Sequence, residues 1–195
     1  RKRLTSLVRI DGKCFRLMGT EPADVPALPQ VKLEVLPTRT IYTFAGEGIQ
    51  LTLTFMTADL PDDLDVLSRP VTYVTWDAVA TDSQKHAVAV YLDARSEIAV
   101  NDADQAVTFQ KASVAGIKVW RVGTVEQPIL KKRGDDVRID WGYLYVASAG
   151  DKHAVVTANS AQTARKEFIA GGKVGEAQGE AALQNNSRKD SVIAY

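Results

Sequence analysis

The chain has 195 residues, with 24 Lys or Arg against 24 Asp or Glu and a formal net charge of zero; 45% of its residues are hydrophobic and 25% charged. That length and composition provide for one ordinary domain over residues 1–195 with a sizeable core. The charge balance excludes a strongly basic nucleic-acid binder, whose affinity rests on neutralising phosphates. No window approaches the roughly 18 apolar residues that a membrane helix requires, so no membrane span is expected.

The basic run Arg1-Lys2-Arg3 reads as a solvated terminus. There is no initiator Met and no signal-peptide pattern, and the chain is expected to be a mature product or a piece of something longer. Leu7-Val8-Arg9-Ile10, Asp11-Gly12 and Cys14-Phe15-Arg16-Leu17-Met18 predict a hairpin about an Asp-Gly turn. A proline-rich loop follows, and then Val31 to Leu36 alternates apolar and polar residues. Ile41 to Phe44 and Ile49 to Met56 flank Ala45-Gly46-Glu47-Gly48 as a second hairpin, with Ile49, Leu51, Leu53 and Phe55 on one face.

Val71 to Val79 and His86 to Ala94 predict strands around the turn Thr81-Asp82-Ser83-Gln84. Shorter candidates are Glu97 to Val100, Ala106 to Gln110, Ile117 to Val122, Asp136 to Ile139, Gly142 to Ala147 and Ala154 to Thr157. Ser160 to Ala170 predicts a helix, N-capped by Ser160 and stopped by Gly171-Gly172. Residues 171–190 are polar and rich in Gly, Ala and Gln, and are expected to form a loop or linker. Ser191-Val192-Ile193-Ala194-Tyr195 then starts as a strand, which suggests a domain truncated at its C-terminal end. The pattern predicts an all-β fold, a large antiparallel β-sandwich with one short helix near the C-terminus.

No Gly-x-Ser-x-Gly elbow, Walker loop, His-Glu-x-x-His or Cys-x-x-Cys is present. Neither catalytic residues, nor metal ligands, nor a cofactor can be assigned. Cys14 lies in an apolar-alternating segment and is read as a small buried hydrophobe, and His86 and His153 as structural or solvent-exposed side chains. Asp62, Asp63 and Asp65 precede Ser68-Arg69-Pro70 in an acidic loop, which reads either as a capped turn neutralised by Arg69 or solvent, or as a loop at the rim of another domain's pocket. If Asp136 to Tyr145 were extended, Arg138 and Asp140 would share a charged face, read as a solvated surface, a domain interface or an ion pair between the two, and Trp141, Tyr143 and Tyr145 a core face. Asn185-Asn186-Ser187 matches a glycosylation sequon, a pattern common by chance.

Four runs resemble the glutaminase A family of exported fungal and bacterial proteins: Arg16 to Gly19, Pro37 to Phe44, Leu60 to Tyr73 and Asp140 to Tyr145. The resemblance covers most of the chain from about Leu7 onward, with the runs in family order. It implies an N-terminal β-sandwich followed by a helical barrel resembling the (α/α)6 barrels of glycoside hydrolases. It also implies hydrolysis of L-glutamine to glutamate and ammonia, and a secreted or periplasmic location. The chemistry is expected in the barrel, so the resemblance transfers no catalytic residue to any position here.

On that reading the chain is a sandwich without activity of its own, whose partner is the barrel of the same polypeptide. Its pocket-rim or domain-interface candidates are Asp62, Asp63, Asp65, Arg69, Arg138, Asp140 and Trp141. The alternative is a carbohydrate-binding or adhesion-type module with a small-molecule or glycan ligand, which needs exposed aromatics such as Trp76, Trp120, Trp141 or the tyrosines on one sheet face. An autonomous enzyme is the third reading, and no nucleophile–base set in the sequence supports it.

Overall fold

The computed structural model describes residues 4–102, 104–114, 116–135, 140–148, 153–176 and 190–195. Strands β1 (Leu4–Ile10) and β2 (Lys13–Met18) form the expected hairpin. Both turn residues take positive φ, Asp11 at 48° and Gly12 at 91°, as the tight turns that match strand twist require. Strands β3 (Gln30–Leu36), β4 (Arg39–Gly46), β5 (Ile49–Met56) and β6 (Tyr73–Ala80) make a four-stranded antiparallel meander. Between β5 and β6 the acidic segment carries a single helical turn, α1 (Leu64–Leu67).

The chain then changes sheets. Strand β7 (Val88–Arg95) pairs with β1 rather than with β6. Strands β8 (Val107–Val114), β9 (Ile117–Thr124) and β10 (Leu144–Ala147) form a three-stranded sheet. Strand β11 (Thr157–Ser160) leads into α2 (Ala161–Gly171), and β12 (Ser191–Ala194) completes a five-stranded sheet in the order β11-β12-β7-β1-β2.

The five-stranded sheet is the middle layer, and the two-residue period of its strands sends alternate side chains to different neighbours. Leu7, Tyr91, Val192 and Ala194 meet Ala161, Ala164 and Phe168 of α2, with Tyr91 and Phe168 ring centres 5.2 Å apart. On the opposite face Val8 and Ile10 pack against Phe44, Ile49, Leu51 and Leu53 of the four-stranded sheet. Beside them Ala158 and Ile193 pack against Phe109, Trp120 and Val122 of the three-stranded sheet. The protein is thus an antiparallel β-sandwich whose second layer is shared by two sheets, with one helix on its back. Each fully buried Leu, Ile or Phe here contributes about 1.5–3 kcal/mol relative to exposure.

Helix α2 starts and stops where the sequence predicts. The Ser160 side chain accepts from the Thr163 amide at 3.1 Å, and Gly172 ends the helix at φ 68°, donating its amide to the Phe168 carbonyl. Its anchor is Arg165. Nε and Nη2 donate to the two Asp93 carboxylate oxygens at 2.7 and 3.1 Å, Nη2 donates to Thr5 Oγ1 at 2.9 Å, and Nη1 to Glu21 at 2.9 Å.

Several local expectations are corrected. Residues 96–99 form a 3-10 turn rather than a strand, with Ser96 buried at its start. The strand expected over Ala154 to Thr157 lies at Thr157–Ser160, and the strand expected from His86 begins at Val88. Asp136 to Ile139, the sequon and most of 171–190 fall outside the described residues.

Candidate functional site

The turn joining β3 to β4 and the segment 57–72 rise at the same end of the four-stranded sheet. They enclose an open cleft of about 400 Å3, lined among others by Leu36, Arg39, Thr40, Phe55, Asp59 and Leu67. The Thr57 amide donates to the Thr38 carbonyl at 3.0 Å, and the Thr57 and Thr72 hydroxyls lie 3.3 Å apart, which ties the ends of the segment. Inside it, Asp63 caps α1 by accepting from the Val66 amide at 3.1 Å.

Asp62, Asp63, Asp65 and Arg69 are therefore gathered on one exposed loop beside the cleft. Of the two ways in which the acids could be neutralised, by Arg69 or by solvent, the first is not seen: among the described residues Arg69 forms no ion pair, and the run is exposed. The cleft is of a size that takes small molecules. Its walls offer threonine hydroxyls and the opposite charges of Arg39 and Asp59, but no His or Cys.

Asp140 and Trp141 lie elsewhere, in the bend before β10, and Arg138 falls outside the described residues. Asp140 is buried, against the expected solvated face. Its Oδ2 accepts from Lys132 Nζ at 2.8 Å and Gln105 Nε2 at 2.9 Å, so its carboxyl is held below the usual range, first by the Lys132 bond and then by the Gln105 bond. The extended run expected here is broken because Gly142 sits at φ 81° and is gripped by the Gln127 amide. Gln127 Oε1 accepts from the Gly142 amide at 2.7 Å, while Gln127 Nε2 donates to the Gly142 carbonyl at 3.1 Å. These two bonds tie the Lys132 and Gln105 segments to this bend.

Two charged clusters join residues too far apart in sequence for spacing to reveal them. His86, nearly buried, lies between Asp11 (Nδ1 to Oδ2, 2.6 Å) and Asp82 (Nε2 to Oδ1, 2.9 Å), which raises its pKa; with both ring nitrogens engaged it is not a free base. The Arg165 anchor is the second. Burial pushes the Asp93 carboxyl up while the Arg165 bonds pull it back, and the Tyr91 hydroxyl donates to it at 2.9 Å. Burial also pushes the Cys14 thiol up, away from thiolate chemistry. Among the described residues no group of three or more His, Cys, Asp or Glu is arranged to hold a metal.

The tryptophans do not form an exposed platform. Trp120 is buried, Trp76 stacks on Tyr195 with ring centres 5.6 Å apart, and Trp141 is partly buried. The exposed aromatic of that sheet is Tyr145, edge-on to Tyr143 at 6.2 Å. Arg121 lies 4.3 Å over Tyr143, steadied by its Nε bond to Gln110 Oε1 at 2.8 Å. The even spacing of Tyr143 and Tyr145 was legible in the sequence, and the arginine over Tyr143 was not.

Comparison with known proteins bears on this assembly in two ways. The chain is 26% identical over 146 residues to a protein named Glutaminase A from Aspergillus oryzae (strain ATCC 42149 / RIB 40), a match covering 72% of this chain and 20% of that relative. The chain thus spans about one fifth of the length of the curated relative it matches, and the likeness supports a distant relation. A family profile described as a domain of unknown function, DUF5127, matches residues 38–195, which takes in the cleft lining from Thr38 onward, the acidic loop, the Asp140 bend and α2. The chain belongs to the DUF5127 family.

Proposed function

We propose that this chain is the β-sandwich unit of a longer glutaminase A-like hydrolase. The whole polypeptide would convert L-glutamine to L-glutamate and ammonia, in a secreted or periplasmic setting. The bond-breaking chemistry belongs to a helical (α/α)6 barrel in the same polypeptide, and the sandwich supports that barrel and lends its acidic loop to the pocket rim. The observation that carries the reading is the match to Glutaminase A over only 20% of that protein. The residue chemistry agrees with it: the cysteine thiol is pushed up by burial and His86 is locked between two carboxylates.

The test is ammonia release from glutamine by the full-length protein carrying Asp62→Ala, Asp65→Ala or Arg69→Ala. All three side chains are exposed, so melting temperature should hold while kcat/KM falls several-fold. Asp63→Ala should in addition lose about 1 kcal/mol of cap stability. Unchanged kcat/KM in every variant would remove the rim role, and no ammonia from the wild type would remove the glutaminase reading. Asp140 and Trp141, with Arg138, form a second group for the same assay.

A carbohydrate-binding role is the second reading, favoured by Tyr143, Tyr145 and the steadied Arg121 on one sheet surface. Aromatic faces beside fixed polar groups suit a sugar ring. A glycan array probed with wild type and Tyr145→Ala tests it: hits lost in the variant support it, and an array without hits excludes it.

A further inference from the structure

The core-side face of the four-stranded sheet runs out from under its cover. In one cross-strand row Leu53 is fully buried, its neighbour Tyr42 is partly buried, and the next residue, Leu33 of β3, is 50% exposed. The adjacent row repeats this with Phe55, Thr40 and Val35, and Val35 is 73% exposed. The other face of β3 carries the charged pair Lys32–Glu34 (3.0 Å), and a bulge lies between Gln30 and Lys32, the devices that normally blunt a sheet edge. They guard one face and leave the other apolar.

Across the cleft from Leu36 stands α1, in which no residue is buried: Leu64 is 73% exposed, and Leu67 and Leu60 are exposed as well. The cleft lining also includes Thr40 and Phe55 of the Val35 row, so the apolar side chains of β3 and α1 border one cleft, and exposed apolar patches mark contact surfaces. Its margin is predominantly acidic: Asp59, Asp62, Asp63 and Asp65, without an ion-pair partner among the described residues, outnumber Arg39 and Arg69 there.

We propose that the exposed face of β3 together with α1 is a docking surface for another folded unit of the same polypeptide, apolar at its centre and carrying Lys or Arg where it meets the four aspartates. This rests on the reading that the chain is one unit of a longer protein, supported by a relative of which it covers one fifth. The aspartates then act by complementarity at the rim, and the leucines and valines supply the contact core.

Hydroxyl-radical footprinting of the full-length protein, with mass spectrometry, tests it. Leu33, Val35, Leu64 and Leu67 should be oxidised several-fold more slowly than Val79 and Ile129, which are comparably exposed in this unit. Leu33→Asp/Val35→Asp, or Asp62→Lys/Asp65→Lys, should raise oxidation of Leu64 and Leu67 and leave Val79 unchanged. Equal rates in the wild type overturn the proposal, and protection that grows with protein concentration overturns it in favour of a second copy. Glutamine turnover on the same sample separates the two readings: protection without turnover keeps the docking surface and removes the glutaminase, and turnover without protection does the reverse.

Discussion

His86 closes the gap between the β1–β2 turn and the segment leading to β7, and its two carboxylate partners govern how that corner responds to pH. The bond to Asp82, then that to Asp11, raises the pKa of His86 above its ordinary 6.5, and both aspartates are lowered from 3.8, each chiefly by its bond to His86. A raised folded-state value means that the His86 contribution is fully present below about pH 6.5 and is lost as pH rises through the raised value. The aspartate contributions are present above about pH 3.8 and are lost as pH falls through the lowered values. The melting temperature of the wild type relative to His86→Gln should therefore be highest in mildly acidic buffer and shrink towards alkaline pH. A difference that stays flat from pH 5 to 9 would show that the clamp does not titrate. Gly48 makes the corner possible: at φ 76°, a Cβ there would stand 2.4 Å from Asp82 Oδ2 and 2.7 Å from the His86 ring.

At the scale of elements, α2 is held both by the apolar contacts of Ala161, Ala164 and Phe168 and by a buried ion pair. Arg165 is 5% exposed and Asp93 not at all, so each is tolerable only because the other is present. Arg165→Ala should cost about 3–5 kcal/mol in urea unfolding, since it strands a buried carboxylate. Arg165→Met with Asp93→Leu should recover most of that loss by replacing the pair with apolar volume. If the double variant is as unstable as the single one, the pair serves something besides satisfying its own charges. The sequence offered α2 openly through Ser160 and Gly172, yet nothing around Arg165 announced its role, because Asp93 lies 72 residues away. In α1, by contrast, the capped turn was one of the two readings of the acidic run, and Asp63, three residues ahead of Val66, is its cap. Strand alternation was legible in β5, where Ile49, Leu51 and Leu53 are buried and Gln50 is exposed between them, and in β3, where apolar and charged residues alternate although neither face is buried. It failed at residues 96–99, where a 3-10 turn starts at the buried Ser96, and at Gly142, where the Gln127 grip overrides local pattern.

Across the whole molecule, the all-β sandwich was readable from periodicity, while the division of its second layer between two sheets was not, since the break between β6 and β7 carries only an ordinary turn sequence. The cleft beside the acidic loop was likewise hidden, as it arises where the β3–β4 turn and the 57–72 segment meet. Strand β12 lies inside the five-stranded sheet, between β11 and β7, with all four residues buried, and Tyr195 beyond it stacks on Trp76. A ribosome delivers residues from the N-terminus, at roughly 5–20 per second. During synthesis β7 must therefore wait with one edge unpaired while some hundred residues are added. The sandwich closes only after residues 191–195 have cleared the exit tunnel, and until then that open edge invites pairing with a neighbouring nascent chain.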